Sequence, residues 1–271
     1  MENEKILLNI EDHIATITMN RPERHNALDG DAWTGLQRCI SEIESNDDVR
    51  VVVIKGAGGK AFSSGLDISM QNEQIQSSFK ESKDRSRQSV MKEIVDFQNV
   101  FNSIEWLPVP VIACMQGMAI GGGIEIALAC DIRLASDDAT FRFPMNHLGF
   151  IADQGGTTRL SRLVGIAKAK ELFFTGWEID AKEALSIGLI NNVYKTEDLP
   201  VKTETMAQRI AEAAPLAVQA TKRTISMGWD MAIKDSLKLE VIENVSILAS
   251  DDLTEGIMSF IEKRKPVFKG R

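Results

Sequence analysis

Hydrophobic and polar positions change period along this chain, and the changes divide it into elements. Residues 5–19 alternate in short stretches, KILLNI and HIATITM, which predicts two strands broken at Glu11-Asp12. NRPERHNALD follows as a loop, and Asp29 or Asp31 can cap a helix over 32–45 whose apolar face carries Leu36, Ile40 and Ile43. VRVVVIKG, at 49–56, is a continuous β-branched run and predicts a buried strand. GAGGKAFSSGLDI, at 56–68, reads as a loop, and the polar stretch 69–89 as a partly mobile lid or a solvated helix. From Val90 the spacing turns helical through Phe97, Phe101 and Ile104, and stops before Pro108 and Pro110. A strand at 109–117, a helix at 124–130 and a short strand at 131–136 come next. After residue 156 helices alternate with turns, residues 190–195 form a last short strand, and the rest is helical. A stripe of Ile233, Leu237, Ile242, Val245 and Leu248 implies a helix that needs a partner surface. Two regions emerge, a mixed α/β part over 1–198 and a helical part over 199–271.

Composition narrows the function classes. The chain has 271 residues and a net charge of −8, from 31 basic and 39 acidic residues, which argues against a general nucleic-acid binder. Cys39, Cys114 and Cys130 are odd in number and set in apolar runs, so they read as reduced, buried thiols. No apolar run approaches the roughly 20 residues of a membrane span, and MENEKILLNI lacks the basic and apolar regions of a secretory signal. These features point to a cytoplasmic protein without membrane contact. The phosphate-binding motif G-x-x-x-x-G-K-[ST], the dinucleotide fingerprint and the G-x-S-x-G elbow are all missing. His13, His25 and His147 stand far apart and suggest no zinc site.

The chemistry concentrates in GMAIGGGIE, residues 117–125. Gly121, Gly122 and Gly123 fall between a predicted strand and a predicted helix, where the lack of a Cβ lets another backbone or a ligand approach. The first N–H groups of a helix lack partners within it and carry partial positive charge, so such a turn can hold an oxygen that becomes negative during a reaction. Glu125 sits in the first helical turn beside that oxygen.

With NRPERHNAL, KAFSSGLDI, GMAIGGGIEIALACDIRLAS, GGTTRL, FTGWEIDAKEALSIGLINNV and FIEKRKPVFKG in this order, the chain resembles the enoyl-CoA hydratase/isomerase (crotonase) superfamily over nearly its whole length. The resemblance implies an α/β fold: a crotonase-like spiral of ββα units followed by a C-terminal helical trimerisation region. It implies a homotrimer or homohexamer and an acyl-CoA substrate bound without metal or other cofactor. It assigns the oxyanion hole for the thioester carbonyl to the backbone N–H groups of Leu66 and Gly122. It places CoA contacts at Arg24, Ser63, Ser64 and Lys269, the last reaching a neighbouring subunit's site. Met145, His147 and Phe150, with Phe143 and Ile151, are expected to line the acyl pocket.

Hydratases of this family hold a water between two glutamates. Glu125 fills the first position; the second is Met145, which can neither take nor give a proton. Asp153, eight residues beyond, matches an acid of the family's dienoyl-CoA isomerases, although those enzymes also keep an acid at the Met145 position. The resemblance therefore favours double-bond isomerisation in an unsaturated acyl-CoA, with Glu125 and Asp153 as the acid/base pair. Alternatives are a hydratase or another lyase working through Glu125, and a non-catalytic acyl-CoA-binding subunit.

Overall fold

The computed structural model describes residues 4–69, 71–72 and 86–271. Most of the polar stretch 69–89, read above as a lid or solvated helix, lies outside the described residues. Strands β1 (Ile6–Glu11) and β2 (Ile14–Met19) form a hairpin in register Glu11 to Ile14. Asp12 and His13 take the positive φ that a two-residue hairpin turn demands. Helix α1 (Gly30–Glu44) is capped by Asp29, whose carboxylate accepts from the Ala32 N–H. Such a cap contributes about 1 kcal/mol.

The main sheet has six strands in the order β1-β2-β3-β5-β7-β10, with β3 at Val51–Gly56, β5 at Val111–Met115, β7 at Ile132–Ser136 and β10 at Asn192–Tyr194. Every pairing beyond the hairpin is parallel. The unbroken valine run of β3 has a physical reason. Val52 and Ile54 face the large core beneath α1, while Val51 and Val53 face a second core shared with Leu199, Ala207 and Ala211 of α7 (Leu199–Ala211). A strand buried on both faces carries no polar alternation. Helix α7, which the sequence groups with the tail, thus closes the second face of the sheet.

A second, four-stranded sheet was not legible in the sequence. It runs β4-β6-β8-β9, from Ala61–Ser63, Met118–Ile120, Thr140–Arg142 and Ile179–Asp180. Its strands are two or three residues long, too short for a period of two to register. This small sheet pairs β4 and β6 in parallel, so the loops that leave them start side by side. Helix α2 (Arg87–Trp106) packs against α3 (Gly122–Ala129), which follows β6 directly. Helices α4 (Gly156–Val164), α5 (Ile166–Thr175) and α6 (Ala181–Ser186) follow.

The chain ends with α8 (Pro215–Gly228), α9 (Ile233–Leu248) and α10 (Asp251–Glu262). Not one residue of α9 is buried, and its predicted stripe of Ile233, Leu237, Ile242, Val245 and Leu248 faces outward. Arg50 ties the C-terminal segment down by donating to the carbonyls of Ala211 and Phe268. Among the described residues, no helix is long and apolar enough to cross a membrane.

Candidate active site

The loop after β4 and the turn after β6 meet face to face. Gly65 has φ +82°, and a Cβ there would stand 2.6 Å from the Ile120 carbonyl and 2.8 Å from the Gly122 nitrogen. Only glycine permits that approach. The Ser63 hydroxyl donates to the Asn26 carbonyl and accepts from the Gly65 N–H, and the Gly65 carbonyl accepts from the Leu28 N–H. The loop is therefore fixed from both sides. A Cβ built on Gly122 would lie 3.7 Å from the Leu66 nitrogen, so the two amides stand side by side. Among the described residues, neither the Leu66 nor the Gly122 N–H donates a hydrogen bond within the chain. Both residues line a cavity of about 610 Å³ whose walls are mostly apolar. The Gly122 N–H also belongs to the first turn of α3, where the helix dipole favours negative charge.

Glu125 lies one turn into α3, 1 % exposed, and lines the same cavity. Its Oε1 accepts from the Gly156 N–H at 3.0 Å. Burial pushes its carboxyl up to about 8, and the nearby Asp153 adds to the rise. The N–H groups of Gly156 and Gln154 and the Arg159 guanidinium pull the other way. Such a carboxyl exchanges protons near neutral pH, which suits a general acid/base.

Asp153 is half-buried, and burial raises its carboxyl too. It is close enough for its charge to act on Glu125, but it does not line the cavity; its neighbour Gln154 does. The Gln154 side chain, which borders the cavity, donates to Asp153 Oδ1 at 2.5 Å.

The other expected residues divide. Met145 is 2 % exposed and forms cavity wall, with Phe150 beside it. Arg24 and Ser64 stand along the cavity. Ser63 does not, since its hydroxyl is committed to the loop. The structure places His147 elsewhere, with its ring against Gly176. Met145 and Leu148 occupy the ends of one 3-10 turn and share its cavity face, which leaves His147 on another. Phe143 is fully buried against Phe173, and Ile151 is 62 % exposed; neither lines the cavity. Lys269 is exposed on the C-terminal segment, where its N–H donates to Asp252, and it is not a cavity residue of its own subunit.

Trp33, Phe97 and Gln154 also line the cavity, and their place in the site was not legible in the sequence. Trp33 meets Phe97 edge-on at 5.7 Å and Phe101 at 5.4 Å. Both helices carry these rings within ordinary apolar stripes, so only their convergence marks them. A larger cavity, of about 770 Å³, lies on the other face of the main sheet beside α7. The acids that line it, Glu11, Asp12 and Glu204, are all exposed, whereas the smaller cavity holds the buried Glu125 beside the Leu66 and Gly122 amides. Among the described residues, no group of three or more metal-ligating side chains could hold a metal ion.

The site can bind a carbonyl oxygen between two amides while a carboxyl beside it takes a proton from the adjacent carbon. Comparison with known proteins agrees with that chemistry. The enoyl-CoA hydratase/isomerase family model matches residues 9–271. The chain is 39 % identical to the short-chain-enoyl-CoA hydratase of Clostridium acetobutylicum over 265 residues, covering 98 % of this chain and 97 % of that one. It is 36 % identical to the mitochondrial Delta(3,5)-Delta(2,4)-dienoyl-CoA isomerase of Dictyostelium discoideum over 257 residues, covering 94 % and 87 %. Among solved structures, an enoyl-CoA hydratase from Bacillus anthracis superposes with a TM-score of 0.89 at 34 % identity, covering 98 % of this chain and all of that one.

Proposed function

The chain belongs to the enoyl-CoA hydratase/isomerase family, and on that premise we propose that it shifts a double bond in an unsaturated acyl-CoA, moving a 3,5-diene to the conjugated 2,4-diene. The thioester oxygen sits between the N–H groups of Leu66 and Gly122. Glu125, as carboxylate, takes a proton from the carbon next to the carbonyl. The electron pair moves onto the oxygen, and the two amides stabilise the resulting enolate. One such preorganised donor lowers the barrier by roughly 3–4 kcal/mol. The enolate then collapses through the diene while Asp153 delivers a proton to the far end, the Gln154 side chain turning aside. Arg24 and Ser64 meet the CoA portion, and Lys269 reaches it from a second copy of the chain. No metal or redox cofactor takes part, and the substrate supplies its own CoA.

The observation that carries this reading is Met145. A buried, apolar side chain stands where a hydratase of this family would hold water with a second carboxylate, while the remaining acid, Asp153, is coupled to Glu125. A second reading, hydration, has support of its own. Gln154 borders the cavity beside Glu125 and can bind a water, and the hydratase from Clostridium acetobutylicum is a relative at 39 % identity.

Ultraviolet absorbance separates the two. With a 3,5-dienoyl-CoA, the absorbance of a conjugated dienoyl thioester should rise. With a 2-enoyl-CoA, the enoyl absorbance should persist; its rapid loss would favour the hydratase.

A further inference from the structure

Glu125 is held by a turn, and something must hold the turn. The turn is Asp153–Gln154–Gly155–Gly156. Its Gly156 N–H donates to Glu125 Oε1, and its Gln154 N–H also stabilises the carboxylate. A Cβ on Gly156 would fall 2.5 Å from Glu125 Oε1, so the contact is as close as a backbone allows. Behind the turn runs the side chain of Arg159, from the first helical turn of α4. Its side chain is only 10 % exposed. It crosses Gly155 so closely that a Cβ there would overlap its Nη1. Nη1 donates to the Gln154 carbonyl at 2.9 Å. Nη2 donates to Asn102 Oδ1 at 2.7 Å, and Nε donates to Glu105 Oε2 at 3.0 Å. Gln98 donates to the Asp153 carbonyl at 2.6 Å. Gln98, Asn102 and Glu105 are spaced by four and three residues, so they form one polar row on α2, facing the turn. Gln98 ties α2 to the turn by a single bond, whereas the guanidinium, with its planar fork, holds Asn102 and Glu105 of α2 and the Gln154 carbonyl at once.

We propose that Arg159 is a positioning residue for proton transfer: it clamps the 153–156 turn to α2 and thereby sets the place of the Glu125 carboxyl beside the substrate's α-carbon. It touches no reacting atom. The inference rests on Glu125 being the acid/base of the proposed function. Among the described residues, Asp153 and Arg159 from the α4 side act on Glu125, Glu105 of α2 pairs with Arg159, and Glu23, Arg24 and Asp67 line the same cavity; strands β4 and β6 carry no charged side chain.

The test is α-proton exchange of a saturated acyl-CoA, butyryl-CoA, in deuterated buffer, followed across pH with acyl-CoA affinity measured in parallel. In the wild type the exchange rate should rise through a midpoint near that of the Glu125 carboxyl. Arg159→Met should slow exchange by about a hundredfold at neutral pH, the scale of an ångström of misplacement. It should move the midpoint upward and leave acyl-CoA affinity nearly unchanged. Arg159→Lys, which keeps the charge but not the fork, should restore the midpoint more than the rate. Wild-type rates and midpoints in both variants would overturn the proposal. If Arg159→Met does not fold, Asn102→Ala loosens the same clamp and should move rate and midpoint the same way by less; no movement in either overturns it equally. Glu125→Gln is the control. Persistent exchange in that variant would remove the proposed function itself, whereas its silence beside unaffected Arg159 variants would remove only this inference.

Discussion

Two carboxyls define the site at the scale of single residues. Glu125 is nearly inaccessible, and its folded value of about 8 lies well above the 4.5 of an exposed glutamate. The folded state thus keeps a proton that the unfolded chain releases between those values, so burial of Glu125 costs stability as pH rises through that window. The full cost is present above pH 8 and is on the order of a few kcal/mol. Glu125→Gln should therefore abolish turnover while raising the melting temperature at pH 8–9, and the two melting curves should converge below pH 4.5. A destabilised variant at high pH would mean that Glu125 is not a strained acid. Under the proposed function Asp153 delivers a proton at the diene's far end, so Asp153→Asn should lower turnover at least a hundredfold, the usual scale for a lost general acid, with CoA affinity intact by calorimetry. The glycine turn and the placement of Glu125 in the first turn of α3 were legible, because glycines between a strand and a helix leave a local signature. Arg159 and Gln154 were not, because their meaning depends on α2, more than fifty positions earlier.

Elements explain why the site is where it is. Helix α3 begins within contact of the loop after β4, and Gly123 makes that possible: a Cβ there would stand 2.3 Å from the Ser63 carbonyl. Gly123→Ala must push the β4 loop away from α3 and separate the Leu66 and Gly122 amides. Losing one oxyanion donor in this way should lower kcat by about 10²–10³-fold, with a smaller change in KM. The far end of α3 is fixed as well, by the buried Arg133, which donates to the carbonyls of Ala127, Cys130 and Leu189. The main strands and α1 were readable from period and capping. The small sheet was not, because its pairing is made by backbone at the edges of glycine loops and leaves no side-chain pattern. His147 shows the same limit in a 3-10 turn, where a period of three turned it from the cavity that Met145 and Leu148 share.

At the scale of the whole molecule, the apolar stripe of α9 is exposed along its length, with Phe260 and Ile261 of α10 equally uncovered. Surface of that kind marks an interaction site, and the sequence resemblance implies a trimer or hexamer that would cover it. Sedimentation should find the wild type larger than a monomer, and Ile242→Glu with Val245→Lys should shift it towards the monomer; an unchanged sedimentation coefficient would place the interface elsewhere. The chemistry of the site is tested most directly by the mass of the product formed from a 3,5-dienoyl-CoA in heavy water. Proton removal by Glu125 and delivery by Asp153 predict a conjugated diene whose added mass is deuterium alone, carried at the far carbon. Unchanged 3,5-dienoyl-CoA, with a 2-enoyl-CoA instead gaining one water and deuterium at the α-carbon, would contradict the account and identify a hydratase.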